Sequence, residues 1–228
     1  MNFTVWRLAL LGLGCAAVWA FIEIAEGVSE GGSREFDERL LLALRNRSDP
    51  ADPIGPRWVE EMARDFTGLG GIGILGLITA ASVVYLLMMR KRNAAVLVAA
   101  AVGGGILLSA LFKAGFDRPR PDLVSHLSQV YTTSFPSGHS MMSAVAYLTL
   151  GALLAQLHKG RAVQAFILAV AILITVLVGL SRVYLGVHWP TDVLAGWAAG
   201  AAWACLCWLV AQWFQKRGAL ERGVEVSA

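Results

Sequence analysis

The sequence predicts an all-α integral membrane protein with six transmembrane helices and extramembrane helices between the first and second spans. Three observations lead there. Only 15% of the 228 residues are charged and 57% are hydrophobic, whereas soluble domains carry roughly 25% charge. Mean hydropathy is +0.61. Charge-free runs cover 8–22, 66–89, 93–112, 140–157, 162–181 and 193–215, and five of the six reach the about 18 residues that a membrane-crossing helix needs.

The first run is shorter, but Arg7 and Glu23 at its edges can extend toward the interfaces and lengthen it. Apolar residues continue past Cys15 through "AAVWAFI", which favours an uncleaved anchor over a secretory or lipoprotein leader. Glu23 to Asp65 is the one long polar stretch, with eleven acidic and six basic residues, divided by Pro50, Pro53 and Pro56. Two helices are expected in it. "FDERLLLALRNR" places Phe36, Leu40 and Leu44 at helical spacing, as for a helix on the membrane surface, and "RWVEEMARDF" leads into the second span. Packing of these helices on the bundle is the reading favoured over a substrate lid. The remaining runs follow as spans two to six, leaving no separate soluble module, so residues 1–228 read as a single membrane domain.

Glycines in "GLGGIGILG" at 68–76 and "GGG" at 103–105 permit close helix packing. Cys15, Cys205 and Cys207 all lie in apolar runs and read as packing residues. A net charge of +3, with no basic run interleaved with aromatics, argues against nucleic acid as a partner.

Six spans put successive connections on alternating sides. The segments 23–65, 113–139 and 182–192 then share one face, and Arg90-Lys91-Arg92, "HKGR" at 158–161 and the tail with Lys216, Arg217 and Arg222 share the other. Raw Lys and Arg counts are nearly tied. Discounting the cations with another task puts the Arg90-Lys91-Arg92 face in the cytoplasm and the polar clusters outside it.

Parity alone therefore brings three polar clusters together. "KAGFDRPRP" presents Lys113, Arg118 and Arg120, a point charge and two planar forks suited to phosphate oxygens. "FPSGHS" caps the fourth span, where unpaired N–H groups favour an anion, where Gly138 allows close approach, and where His139 sits in the first turn. In "SRVYLGVHWPTD", Pro190 opens the sixth span. His188 then lies just before that span and Asp192 one turn later, spaced to hold one ring nitrogen and leave the other free to attack. Taken singly, each cluster also fits an ordinary snorkelling or capped helix end.

Together they resemble the type 2 phosphatidic acid phosphatase family, which also contains vanadium-dependent haloperoxidases and glucose-6-phosphatase. Lys113 through Arg120-Pro121 matches Lys-x6-Arg-Pro. Pro136-Ser137-Gly138-His139 matches Pro-Ser-Gly-His, and Ser181-Arg182 through His188 to Asp192 matches Ser-Arg-x5-His-x3-Asp. Order and spacing agree over 113–192, and Arg118 lies outside the pattern as a bystander.

The resemblance implies that His188 is the nucleophile, forming a phosphohistidine, with Asp192 orienting it. It implies that His139 is the general acid and then the base for water, and that Lys113, Arg120, Ser137, Gly138 and Arg182 hold the phosphate. No metal ligand or cofactor is implied. A six-span chain is unlike the soluble haloperoxidases. The expectation is a membrane lipid phosphatase or diphosphatase at the outer face of a bacterial inner membrane. Undecaprenyl diphosphate and phosphatidylglycerophosphate lead as substrates, ahead of phosphatidic acid and lipid A phosphates. A lipid phosphotransferase using the same intermediate is the alternative. A transporter that recruits anions is the rival from another class, disfavoured because no charged residue falls within any span.

Overall fold

The computed structural model describes residues 3–128 and 132–216. Ten elements follow one another: α1 (Phe3–Ser29), α2 (Arg34–Ala43), β1 (Arg45–Asn46), β2 (Asp49–Pro53), α3 (Arg57–Leu69), α4 (Ile72–Met88), α5 (Arg92–Gly115), α6 (Gly138–Gln156), α7 (Arg161–Tyr184) and α8 (Pro190–Lys216). Helices α1, α5, α6, α7 and α8 are each long and apolar enough to cross a bilayer. Helices α3 and α4 are long and apolar enough only together, as a pair bent by 46°, and supply one further candidate span. Large apolar side chains such as Ile72, Leu77, Met88 and Phe166 stand exposed around the bundle, as lipid contact requires. The tail residues Arg217 and Arg222, assigned above to the Arg90-Lys91-Arg92 face, lie outside the described residues.

Two sequence expectations need correcting. The second run is not one straight helix: it breaks at Gly70 and Gly71. A Cβ on Gly70 would stand 2.5 Å from Val178 and 3.1 Å from the His139 carbonyl oxygen, so the break lets the chain pass against α6 and α7. The helix expected over 36–47 stops at Ala43, and its last residues enter a two-stranded antiparallel ribbon that pairs Arg45 with Pro53 and Asn46 with Asp49. Pro50 pushes Asp49 out of helical geometry, and the Asp49 carboxylate accepts a bond from the Ala51 N–H. A further stripe of α2 faces the bundle: Asp37 and Leu41 are buried and Leu44 partly so, while Phe36 and Leu40 stay exposed.

Helices α6 and α8 pack on each other at the bundle centre, with α1 against α8 and α7 chiefly against α6. Small residues set the closest approach. A Cβ on Gly196 would lie 2.6 Å from the Ser137 carbonyl, and one on Gly200 would lie 2.5 Å from that of Met141. Of the glycines singled out in the sequence, Gly70, Gly104 and Gly105 do meet neighbours closely, whereas nothing stands near Gly73, Gly76 or Gly103. Because α6 and α8 touch at their first turns, the residues that open these helices are brought side by side. Phe21, Phe112, Phe116 and Phe135 form an aromatic cluster beneath this end, with ring centroids 4.6 to 6.1 Å apart.

Candidate active site

The last turns of α5 and α7 and the first turns of α6 and α8 meet at one end of the bundle, and they carry Lys113, Arg182, His139 and Asp192 respectively. His188 sits in the short α7–α8 turn. Gly186 bends that turn with φ +74, and a Cβ there would lie within 2.9 Å of Val124, Arg45 and the Ser125 carbonyl.

His188 is only 2% exposed. Its Nδ1 lies 3.3 Å from Asp192 Oδ2, so Nε2 points the other way, 3.2 Å from Arg120 Nη1. Burial pushes its pKa down to about 4, against the pull of Asp192. Asp192 is fully buried and densely held. Its Oδ2 also accepts from the Trp189 N–H at 2.9 Å and from the Ser134 hydroxyl, and its Oδ1 accepts from Arg118 Nη1 at 2.6 Å.

The cations are anchored by backbone and hydroxyl oxygens rather than by carboxylates. Lys113 Nζ donates to the Thr133 carbonyl at 2.8 Å. Arg120 donates to Thr132 O at 2.8 Å and to Val187 O at 2.6 Å, and burial lowers its pKa. Arg182 is 2% exposed and donates Nη1 to Thr67 Oγ1 at 2.8 Å, while its Nε is buried with no partner. Ser137 caps α6, its hydroxyl oxygen accepting from the Ser140 N–H at 3.4 Å and lying 2.9 Å from the Ser140 hydroxyl. A Cβ on Gly138 would stand 3.5 Å from Lys113 Cε, so the cap and the lysine are neighbours.

His139 is placed differently. It is half-buried and lies within electrostatic reach of Arg182, His188, Lys113 and Arg120. It lines a cavity of about 250 Å³ with Gly70, Ile72, Leu75, Val102, Ile106 and Met142, so an imidazole at the cluster borders an apolar chamber between α4, α5 and α6.

All eight residues expected at the site thus stand at one end. Reading the sequence missed several that hold them: Asp37, Thr67, Ser134, Thr191 and the backbone of 132–133. Arg118, read as a bystander, is instead a centre of the network. It binds Asp192 on one side and Asp37 of α2 on the other, each at 2.6 Å. A signal for Asp37 was available, because Asp37, Leu41 and Leu44 form an i, i+4, i+7 stripe with a carboxylate on its apolar face.

The fold and these residues define a class: a multi-pass helical membrane protein with a histidine–aspartate pair ringed by cations at one end. The chain belongs to the PAP2 superfamily, whose family model matches residues 93–216. It is 43% identical over 98 residues to phosphatidylglycerophosphatase B of Bacillus subtilis, which is 41% of this chain and 46% of that protein. It is 41% identical over 68 residues to an undecaprenyl-diphosphatase of Sulfolobus acidocaldarius, 30% of this chain and 29% of that one. Each match spans less than half of the relative's length. Among solved structures, that of a transmembrane PAP2-type phosphatidylglycerolphosphate phosphatase from Bacillus subtilis superposes with a TM-score of 0.73 at 27% identity, covering 90% of this chain and 96% of that one. Aquifex aeolicus LpxE shares the fold, with a TM-score of 0.55, 24% identity, and 75% and 92% coverage.

Proposed function

We propose that this protein is a membrane lipid phosphatase that cleaves a lipid phosphate or diphosphate through a phosphohistidine, without a metal. The carrying observation is His188 with its Nε2 on Arg120, close to a second histidine that lies within electrostatic reach of Arg182, Lys113 and Arg120 and opens onto an apolar chamber. The chamber suits the substrate's hydrocarbon and the cations suit its phosphate.

Asp192 holds the Nδ1 side, so His188 Nε2 attacks phosphorus while the bond from phosphorus to the lipid oxygen breaks. Arg120, now on Nε2, shifts to the incoming phosphate oxygens, joined by Lys113, Arg182, the Ser137 hydroxyl and the Gly138 N–H. Removing one donor aimed at developing charge costs about 2.7–4 kcal/mol in a protease oxyanion hole. His139 gives its proton to the leaving lipid oxygen, then takes one from the water that attacks phosphohistidine. Phosphate leaves, and His188 is restored.

The named activities of the two curated relatives favour phosphatidylglycerophosphate and undecaprenyl diphosphate as substrates. The whole of 1–228 acts as one membrane unit in this reading. The positive turn Arg90-Lys91-Arg92 lies opposite the site, which supports a periplasmic position in an inner membrane.

The test is phosphate release from undecaprenyl diphosphate, phosphatidylglycerophosphate and phosphatidic acid by purified protein in detergent, with EDTA, for wild type and His188→Ala. Turnover by wild type alone is expected. Equal turnover by the variant would remove His188 as nucleophile. Phosphate appearing on an added lipid alcohol instead of in water would make the protein a phosphotransferase.

A further inference from the structure

Asp37, Arg118, Asp192 and His188 form a continuous chain of alternating charge and hydrogen bonds that runs from the surface helix α2 to the candidate nucleophile. Arg118 Nη2 donates to Asp37 Oδ2 at 2.6 Å and to Ser33 Oγ at 3.3 Å. Its Nη1 donates to Asp192 Oδ1 at 2.6 Å and to Thr191 Oγ1 at 2.8 Å. Asp37 also accepts from the Thr191 N–H at 2.8 Å and from the Thr191 hydroxyl at 2.6 Å, which ties α2 to the first turn of α8. Both carboxylates are completely buried, and the guanidinium stacks 5.6 Å from the centroid of Trp189. A fork bonded to two carboxylates has its plane fixed. Leu41, one turn after Asp37, packs with Val183, Trp189 and Val193, so the helix that carries Asp37 is held against the same turn.

We propose that Asp37 and Arg118 are positioning residues of the reaction: they fix the Asp192 carboxylate, and through it the tautomer and aim of His188, making α2 part of the catalytic apparatus. The assignment rests on His188 being the nucleophile. Neither residue touches the substrate position, so their loss should change kcat and leave KM near its wild-type value. His188 is faced by Asp192, Arg120, Arg182 and His139, and Arg118 acts on it through Asp192. Charge removal therefore has a sign. Taking away the Arg118 cation leaves Asp192 less compensated, which favours the imidazolium and moves the acid limb of kcat/KM to higher pH. Taking away the Asp37 charge does the reverse.

The experiment measures kcat, KM and the acid limb for Asp37→Asn, Arg118→Met and Arg118→Lys, with thermal unfolding as a folding check. His188→Ala and the exposed α2 substitution Arg39→Gln serve as controls. Expected are losses of about 10- to 100-fold in kcat, the span known for the orienting partners of metal-bound histidines, with limbs displaced in opposite directions. Arg118→Lys should return the limb to its wild-type position while recovering only part of kcat. Unchanged kcat in Asp37→Asn, or losses with no limb displacement, would overturn the assignment while an inactive His188→Ala left the nucleophile in place. If Arg118→Met does not fold, the fall in kcat and the downward limb of Asp37→Asn decide the matter alone. An active His188→Ala would remove the mechanism on which the assignment rests.

Discussion

The two histidines of the site live in opposite circumstances. His188 is buried, bonded through Nδ1 to an aspartate that itself has three further donors, and faced on Nε2 by an arginine. His139 is half-buried, has no hydrogen-bond partner among the described residues, and borders an apolar chamber. The difference suits the two chemical tasks proposed for them. A nucleophile must be aimed before the substrate arrives, because orientation is fixed in advance of attack. An acid that later becomes a base must serve a leaving lipid and then a water, so its partners come with the reactants.

That contrast can be broken most sharply at His139. His139→Gln should lower kcat on a natural lipid phosphate by about 10²–10⁴-fold, the usual span for an acid–base group. The loss should shrink on an aryl phosphate, whose leaving oxygen needs less help from a proton. Parallel kinetics on both substrates check this; an equal loss on both would assign His139 to binding rather than proton transfer. No choice of leaving group should rescue His188→Ala.

A smaller effect is expected at the joint between the two histidine-bearing ends. Gly196→Ala forces a methyl to within 2.6 Å of the Ser137 carbonyl, so α8 must move from the cap of α6. Overpacking of this kind costs about 1–3 kcal/mol, read as a lower unfolding temperature in detergent together with reduced kcat.

The last comparison is the pH dependence of stability that the buried histidine imposes. Folded His188 stays neutral down to about pH 4, while an unfolded histidine takes up its proton near about 6.5. Between those values the unfolded chain binds more protons, so stability rises with pH there and is lost as pH falls from about 6.5 toward about 4. Unfolding temperatures across that window should fall less steeply with acid in His188→Gln than in wild type.

The parts of the site that were legible in the sequence are those whose spacing is local. Lys113 with Arg120, Ser137 with Gly138 and His139, and His188 with Asp192 each lie within one or two helical turns, and span parity brought the groups to one face. The parts that stayed hidden join elements distant along the chain: Asp37 meets Thr191, and Thr67 meets Arg182. Periodicity marks Asp37 as lying on an apolar face but names no partner for it, and Thr67 and Thr191 each look like an ordinary polar residue near a helix end. The break at Gly70 was hidden for a related reason. An apolar run reports that a segment is buried in lipid or protein, not whether it is straight, and the bend depends on Val178 and His139 across the bundle.

That break also fixes a length. As a helix of 17 residues, α4 rises about 25 Å, less than the about 30 Å thickness of a typical hydrocarbon core. The remainder of the crossing falls to the last turns of α3, which lean away by 46°. A short span is met by local thinning of the bilayer, by snorkelling of its flanking residues or by association. Thinning at α4 would fall on the flank where Ile72 and Ile106 line the chamber beside His139. A headgroup there would stand deeper than elsewhere in the leaflet and closer to the cations.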